Sequence, residues 1–196
     1  MSKIYFFNGW GMDKNLLKPV KNSTEYDIEV IDFPYNIDKN SIDKDDSFIG
    51  YSFGVYYLNK FLSENKDLKY KKAIGINGLP ETIGKFGINE KMFNITLNTL
   101  NEENLEKFLV NMDIDDSFCK SDKSFDEIKN ELQFFKDNYK IIDNHIDFYY
   151  IGKNDRIIPA NRLEKYCQNY NLAYKLLECG HYPFSYFKDF KNILDI

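Results

Sequence analysis

The stretch Gly50-Tyr51-Ser52-Phe53-Gly54 follows the apolar pair Phe48-Ile49 and precedes the apolar run Val55-Tyr56-Tyr57-Leu58. This arrangement is typical of a tight turn that joins a buried strand to a helix and presents a serine at its apex. The small residues on either side let neighbouring backbone approach closely. An inert serine in a glycine-bounded loop is the alternative interpretation. The stretch therefore predicts a strand, a turn and a helix, with Ser52 as a candidate nucleophile.

Short apolar segments bounded by Gly, Pro, Asn or Asp alternate with helical segments along much of the chain. Buried parallel strands have this length and composition, and we predict six of them, at residues 3–7, 28–33, 47–51, 72–76, 146–151 and 174–177. Apolar residues at helical spacing predict helices over residues 55–63, 160–170 and 184–194. Repeated strand-helix alternation predicts an α/β fold with a mostly parallel sheet and helices on both faces.

Residues 81–144 interrupt this alternation with a long segment whose apolar residues recur at helical spacing, which predicts two to four helices. An insertion at this point would lie over the carboxyl ends of the strands, where open α/β sheets bind ligands. We therefore predict one domain over residues 1–196, with residues 81–144 as a helical lid; ordinary packing helices are the alternative. Phe86, Phe93 and Phe108 are candidate pocket residues within this segment, although they could equally belong to the core.

Composition limits the possible function classes. The 196 residues are 43% hydrophobic, which suits one folded domain. A net charge of -5 without a long basic stretch argues against nucleic-acid binding, and no apolar run approaches the length of a membrane span. Two histidines and three scattered cysteines predict neither a metal site nor a cofactor. Because the first ten residues also lack a basic leader, we expect a cytoplasmic protein. We also expect it to be a monomer.

A nucleophilic serine needs a base and an orienting carboxylate. His181 directly follows the last predicted strand, on the edge of the sheet that carries Ser52, whereas His145 precedes a strand and falls on the opposite edge. Asp155 lies in the loop after the strand at residues 146–151, again on the edge of Ser52. A turn cap is the alternative role for this aspartate. The chain order Ser52, Asp155, His181 is the order that this kind of turn predicts for a catalytic triad.

The tetrahedral intermediate of acyl transfer carries an oxyanion, which needs two preorganised N–H donors. The backbone N–H of Phe53, directly after the serine, is one candidate. The loop after the first strand contains Trp10 between Gly9 and Gly11, and the backbone N–H of Trp10 is the second candidate. A glycine-flanked turn anchored by a tryptophan is the alternative interpretation of this loop.

Three motifs, at residues 50–54, 152–159 and 180–181, resemble those of the α/β-hydrolase superfamily over essentially the whole chain. More narrowly, residues 6–13 (Phe-Phe-Asn-Gly-Trp-Gly-Met-Asp) together with residues 50–54 resemble the BioG-type pimeloyl-acyl-carrier-protein methyl ester esterases of biotin synthesis. The resemblance implies a reduced α/β-hydrolase fold and the hydrolysis of a methyl ester on a carrier-bound C7 chain. Ser52, Asp155 and His181 would carry that reaction. Asn8-Gly9 stands where many hydrolases have His-Gly.

The same resemblance implies an acyl carrier protein as the partner that carries the substrate. Carrier proteins are acidic, so a docking surface should be locally basic. Residues 81–140, however, contain 13 acidic and 8 basic residues and so account for the whole net charge of the chain. The basic residues expected near the mouth of the site are Lys14, Lys85, Lys91 and Arg156, together with Lys153.

Two alternatives to this esterase remain at this point. The first is a general carboxylesterase for small soluble acyl esters, which would use the same three catalytic residues. The second is a protein of hydrolase fold that binds a ligand without turning it over. Comparing methyl pimeloyl carrier protein with free short-chain esters as substrates distinguishes the first alternative from the carrier-linked esterase. Failure of a serine-reactive phosphonate to label Ser52 would favour the second.

Overall fold

The computed structural model describes residues 2–22 and 26–196; Met1 and residues 23–25, which fall within the predicted domain, lie outside the described residues. Within these two ranges, the six strands and six α-helices have the bounds β1 Ser2–Phe7, β2 Tyr26–Ile31, β3 Ser47–Tyr51, α1 Phe53–Glu64, β4 Lys72–Ile76, α2 Glu90–Thr99, α3 Glu102–Asn111, α4 Phe125–Asn138, β5 Phe148–Gly152, α5 Ala160–Asn169, β6 Ala173–Leu177 and α6 Phe190–Leu194. Short 3-10 helices cover Lys14–Leu17 and Lys39–Ser41.

The strands form one sheet in the order β2-β1-β3-β4-β5-β6, and every neighbouring pair is parallel. All six predicted strands are present, and β3 and β4 have the predicted bounds. In a parallel sheet the carboxyl ends of all strands meet at one edge, because successive strands run in the same direction. The loops that follow β1, β3, β5 and β6 therefore come together at that edge.

Alternating side chains of the strands enter two separate cores, as the pleat of a sheet requires. Tyr5 and Phe7 of β1 pack in the core that also takes residues of α1, α4 and α5. Ile4 and Phe6 point to the opposite face, where they pack with the 3-10 helix Lys14–Leu17 and with α6. The expected arrangement of a parallel sheet flanked on both faces is confirmed.

The last predicted helix was too long. The structure has helix α6 only from Phe190, and Asp189 caps it by accepting a hydrogen bond from the N–H of Asn192. Phe184 and Phe187 precede the helix as buried side chains that pack on the sheet. Their three-residue spacing imitated a helical face, although this part of the chain is irregular and contains a turn after Pro183.

Residues 81–144 contain the three helices α2, α3 and α4, within the predicted range of two to four. The capping box of Ser124 and Glu127 begins α4, because each side chain bonds to the backbone N–H of the other residue. Ile128, Leu132 and Phe135 form the buried face of this helix against the core of α1. The insertion is therefore packed on α1 through α4.

Candidate active site

Ser52 lies between β3 and α1 with a backbone φ of 52° and ψ of -120°. This conformation is rare for a residue with a side chain and requires support from its surroundings. Three close approaches supply that support. A Cβ atom at Gly54 would overlap the carbonyl oxygen of Phe7, one at Gly78 would overlap the carbonyl oxygen of Ser52, and one at Gly50 would press on the backbone of Val55. The glycines thus allow neighbouring backbone to hold the turn.

The imidazole of His181 lies beside the serine. Its Nε2 atom is 3.0 Å from Ser52 Oγ, and both side chains are buried. His181 belongs to the loop after β6, and its carbonyl oxygen accepts a hydrogen bond from the hydroxyl of Tyr51 at 3.1 Å. Burial raises the pKa of the Tyr51 phenol well above its ordinary value, with the charge of Asp155 as the next cause, so this hydroxyl stays a donor.

The carboxylate of Asp155 contacts the other ring nitrogen of His181, with Oδ2 2.7 Å from Nδ1. Its Oδ1 atom accepts hydrogen bonds from the N–H groups of Ile157 at 2.7 Å and Ile158 at 2.9 Å. These bonds fix the carboxylate in the loop after β5. The carboxylate favours the tautomer with the proton on Nδ1, which leaves Nε2 free to accept the proton of Ser52.

Asn77, a residue that the sequence analysis did not select, joins the two loops that carry Asp155 and His181. It is fully buried and has a φ of 47°. Its Nδ2 atom donates to the carbonyl oxygens of Gly180 at 3.1 Å and His181 at 2.9 Å, and its Oδ1 atom accepts from Gly152 N–H at 2.7 Å. The only signal in the sequence is an Asn-Gly pair directly after β4.

The backbone N–H groups of Trp10 and Phe53 lie in the two loops predicted to form an oxyanion hole. Within the part of the chain that the structure describes, neither N–H group donates a hydrogen bond to a backbone carbonyl of a loop or turn, and neither donates to a side chain. Phe53 is also the first residue of α1, where N–H groups have no partner inside the helix. Both residues border the cavity at Ser52, so both donors are available to a bound molecule.

A cavity of about 210 Å³ opens at Ser52 and His181. Its walls are mostly apolar and include residues of α2, α3 and α4, namely Met92, Phe93, Phe108 and Leu132, together with Met112 directly after α3. Among the described residues that line it, Arg156 is the one permanent cation, and this side chain is exposed. The helices of the insertion therefore form part of the wall around the serine. Of the candidate pocket residues, Phe93 and Phe108 border this cavity.

Phe86 does not border this cavity and lies in the core, the alternative that the sequence analysis left open. Its ring is buried edge-on against Tyr166 and Tyr170, on the side of α5, and the ammonium of Lys85 lies 4.8 Å from its centre. A phenylalanine near the start of the insertion packs there because the chain first crosses over α5 before it reaches α2. The sequence pattern contains no sign of this path.

The four candidate lysines, Lys14, Lys85, Lys91 and Lys153, are exposed but do not border the cavity. Lys14 lies in the 3-10 helix after β1, Lys85 covers Phe86, and Lys91 lies in the first turn of α2. Lys153 forms an ion pair with Glu178. Of the basic residues predicted near the site, Arg156 alone contributes to the cavity wall, so a basic patch at the cavity itself is limited to this side chain.

A second cavity of about 410 Å³ lies on the other side of α3. It shares Trp10, Met12 and Phe108 with the first cavity, and the rings of Trp10 and Phe108 meet edge to face with their centres 5.0 Å apart. These two rings therefore form the partition between the cavities. The rim of the second cavity carries three glutamates and two lysines, Glu102, Glu103, Glu106, Lys120 and Lys123.

Residues 2–22 and 26–196 contain no group of three or more His, Cys, Asp and Glu side chains arranged to hold a metal ion. No helix in these ranges combines the length and apolar character that a membrane span requires.

His145 lies outside the site, since its N–H donates to Asn59 Oδ1 near the end of β5 that is remote from Ser52. Burial raises the pKa of the Cys179 thiol to about 12, with nearby Asp155 as the next cause.

Comparison with solved structures shows proteins of the same fold. The crystal structure of BioG from Haemophilus influenzae matches with a TM-score of 0.86 and 22% identity, over 99% of this chain and 95% of that chain. An esterase from Exiguobacterium antarcticum matches with a TM-score of 0.69 and 15% identity, over 94% and 86% of the two chains. The predicted α/β-hydrolase fold, in a reduced form with six parallel strands, is confirmed.

Sequence comparison gives a relative and a family. A malonyl-[acyl-carrier protein] O-methyltransferase of Bacteroides fragilis is 29% identical over 200 residues, which cover 91% of this chain; the chain spans only 39% of the length of that protein. The family model described as pimeloyl-ACP methyl esterase BioG matches residues 2–193. Since this match takes in nearly every residue, the chain belongs to the BioG family of pimeloyl-ACP methyl esterases, which are carboxylic ester hydrolases.

Proposed function

We propose that the protein is a serine esterase that hydrolyses the methyl ester of a pimeloyl chain bound to acyl carrier protein. The hydrogen-bonded series Ser52, His181, Asp155 is the observation that carries this proposal, because it combines a nucleophile, a base and an orienting carboxylate. The family of the chain supports the choice of substrate. In this proposal the protein is a cytoplasmic monomer, its partner is the carrier protein, and residues 81–144 form a lid within one domain.

The first half of the reaction forms an acyl-enzyme. Ser52 Oγ attacks the carbonyl carbon of the methyl ester while His181 Nε2 accepts the hydroxyl proton. The N–H groups of Trp10 and Phe53 donate to the oxyanion of the tetrahedral intermediate. Asp155 stabilises the imidazolium that forms. When the intermediate collapses, the methoxy group takes the proton from His181 and leaves as methanol, so Ser52 now carries the acyl group.

The second half repeats these steps with water. His181 Nε2 takes a proton from a water molecule, whose oxygen attacks the acyl carbon. Collapse of the second tetrahedral intermediate returns the proton to Ser52 Oγ and releases the carboxylic acid of the chain, which then loses its remaining proton to solvent. The apolar wall of the cavity suits the methylene chain, and the exposed side chain of Arg156 at this wall would pair with acidic groups of the carrier.

The test compares three substrates: methyl pimeloyl carrier protein, free dimethyl pimelate and a short-chain p-nitrophenyl ester. We expect the carrier-linked substrate to have the highest kcat/KM. A general carboxylesterase would instead prefer the small soluble esters. A binding protein of hydrolase fold would turn over none of them and would leave Ser52 unlabelled by a fluorophosphonate, an outcome that contradicts the proposal.

A further inference from the structure

Helix α4 of the insertion carries a buried carboxylate that the reaction above does not use. Only 1% of the surface of Glu131 is exposed. Its Oε2 atom accepts a hydrogen bond from Gly11 N–H at 3.2 Å and forms an ion pair with Lys123 Nζ at 3.1 Å. Its Oε1 atom lies 3.1 Å from the hydroxyl of Tyr35. An ionisable group is costly to bury, so each of these contacts matters for its placement.

The loop that Glu131 contacts is the loop of the oxyanion donor Trp10. The indole Nε1 of Trp10 donates to the carbonyl oxygen of Ile128, one turn before Glu131, at 2.7 Å. The hydroxyl of Tyr35 also lies 3.0 Å from the carbonyl oxygen of Asn8. The loop is thus held to α4 just after the Trp10 N–H, by the tryptophan side chain and by the amide of the next residue, and it is held to Tyr35 just before it.

The orientation of the Trp10 N–H depends on these contacts. Tyr35 contacts the carbonyl group of the Asn8–Gly9 peptide unit, and Glu131 accepts from the N–H of the Trp10–Gly11 unit. The Gly9–Trp10 unit, which carries the Trp10 N–H, lies between these two contacts, and in β1 the chain before Asn8 is fixed by the sheet. An N–H donor stabilises an oxyanion only when it points at the position that the oxygen takes in the transition state. A small displacement of a preorganised group lowers the reaction rate strongly, although it changes substrate binding little.

We propose that Glu131 is a positioning residue for the oxyanion hole, holding the loop of residues 8–11 against helix α4 so that the Trp10 N–H points into the cavity. The inference rests on the proposed esterase function. It makes the insertion a part of the catalytic apparatus as well as a wall of the cavity. Glu131 acts through the Gly11 amide and has no contact with substrate.

The matched variants are the double substitutions Glu131→Leu with Lys123→Met, and Glu131→Gln with Lys123→Met. Both remove the buried ion pair and replace Lys123 by the same apolar side chain, which protects the fold. Glutamine keeps an oxygen that can accept the Gly11 N–H and an amide nitrogen that can bond to the Tyr35 hydroxyl, whereas leucine keeps neither. Leu62→Ala, in the buried end of α1 remote from Ser52, controls for a general loss of stability.

We expect the leucine double variant to lose about tenfold to 100-fold in kcat, which is somewhat less than the loss of a whole oxyanion donor. Its KM should stay within about threefold, since the ground state uses this donor little. Its affinity for a trifluoromethyl ketone, which forms an oxyanion with the serine, should fall by the same factor as kcat. The glutamine double variant and Leu62→Ala should both keep wild-type kcat within about threefold.

A leucine double variant with wild-type kcat would overturn the role of Glu131. The same conclusion follows if the leucine and glutamine variants lose activity equally, or if the loss falls on KM. Should the leucine variant fail to fold, Tyr35→Phe, which frees the Asn8 carbonyl, must show a smaller loss of kcat at constant KM. Wild-type protein without Ser52-dependent hydrolysis would contradict the proposed function itself, which is a different result from an active wild type with unaffected variants.

Discussion

The side-chain amide of Asn77 donates a hydrogen bond to the carbonyl oxygen of His181 over 2.9 Å, so a residue at the end of β4 fixes the loop of the proposed base. The carbonyl oxygen of the same side chain accepts from Gly152 N–H at the end of β5, which precedes the loop of Asp155. One amide therefore sets the spacing between the base and the carboxylate that orients it.

Replacing Asn77 with Ala should lower the free energy of unfolding by about 1–3 kcal/mol, because Gly152 N–H and two carbonyl groups lose a buried partner. It should also lower kcat, since the two loops are no longer joined. Urea denaturation and ester hydrolysis measure the two effects. Asn171→Ala is the matched control: Asn171 has a φ of 52° as well, but it is exposed. Equal effects of the two substitutions would show that backbone strain, and not the amide, is responsible.

Replacing Arg156 with Ala should raise the KM for methyl pimeloyl carrier protein by up to about fivefold, the effect of a rim ion pair worth at most about 1 kcal/mol. The KM for dimethyl pimelate should not change, because the free diester has no acidic carrier. Lys66→Ala removes an equally exposed charge at the opposite edge of the sheet and should have no effect. If Arg156→Ala changes both substrates alike, the side chain does not meet the carrier.

Replacing Phe108 with Ala should let the enzyme accept longer acyl chains. The ring separates the two cavities together with Trp10, and its removal connects them. We expect kcat/KM for a p-nitrophenyl ester with a C12 acyl chain to rise about tenfold relative to the C4 ester, as judged from the effect of a few methylene groups in an apolar pocket. Phe118→Ala opens only the second cavity and serves as the control. An unchanged chain-length preference would mean that substrate does not reach this wall.

The single substitution Glu131→Gln should change how stability depends on pH. Burial raises the pKa of the Glu131 carboxyl, and the charge of Lys123 partly opposes this shift. The hydroxyl of Tyr35 also faces the carboxyl, and Asp32 interacts electrostatically with both Lys123 and Tyr35. The folded state thus binds this proton more tightly than the unfolded state. Its contribution to stability is complete below the unfolded pKa of about 4.3 and is lost as pH rises through the higher folded pKa.

Unfolding by urea between pH 4 and pH 8 measures this dependence. Relative to the glutamine variant, wild-type protein should lose stability as pH rises, because glutamine cannot ionise. Parallel stability curves for the two proteins would show that the carboxyl has the same pKa in the folded and unfolded states.

The sequence allowed the sheet and the positions of Ser52, Asp155 and His181 at one edge to be predicted. Apolar segments of strand length mark buried parallel strands, and loops after such strands must meet at their carboxyl ends. The structure brings these three side chains together at that edge. Their catalytic roles, and those of Trp10 and Phe53, remain predictions that the variants above test.

Contacts between distant parts of the chain could not be predicted in this way. Glu131 occupies the apolar face of α4, three residues after Ile128, which is a signal that the carboxylate is buried. Its partners Gly11 and Tyr35, however, are 120 and 96 residues away. The same difficulty affected Phe86, whose aromatic neighbours belong to α5. Helical spacing identifies a buried face, but only the packed structure shows what covers it.

The release of methanol from methyl pimeloyl carrier protein by wild-type protein and by Ser52→Ala tests the central claim most directly. Circular dichroism and urea denaturation establish first that the variant is folded. We predict that the wild type releases one methanol per pimeloyl carrier protein formed, and that the folded Ser52→Ala protein is slower by at least about 10³-fold. Undiminished methanol release by that variant would contradict the assignment of Ser52 as the nucleophile.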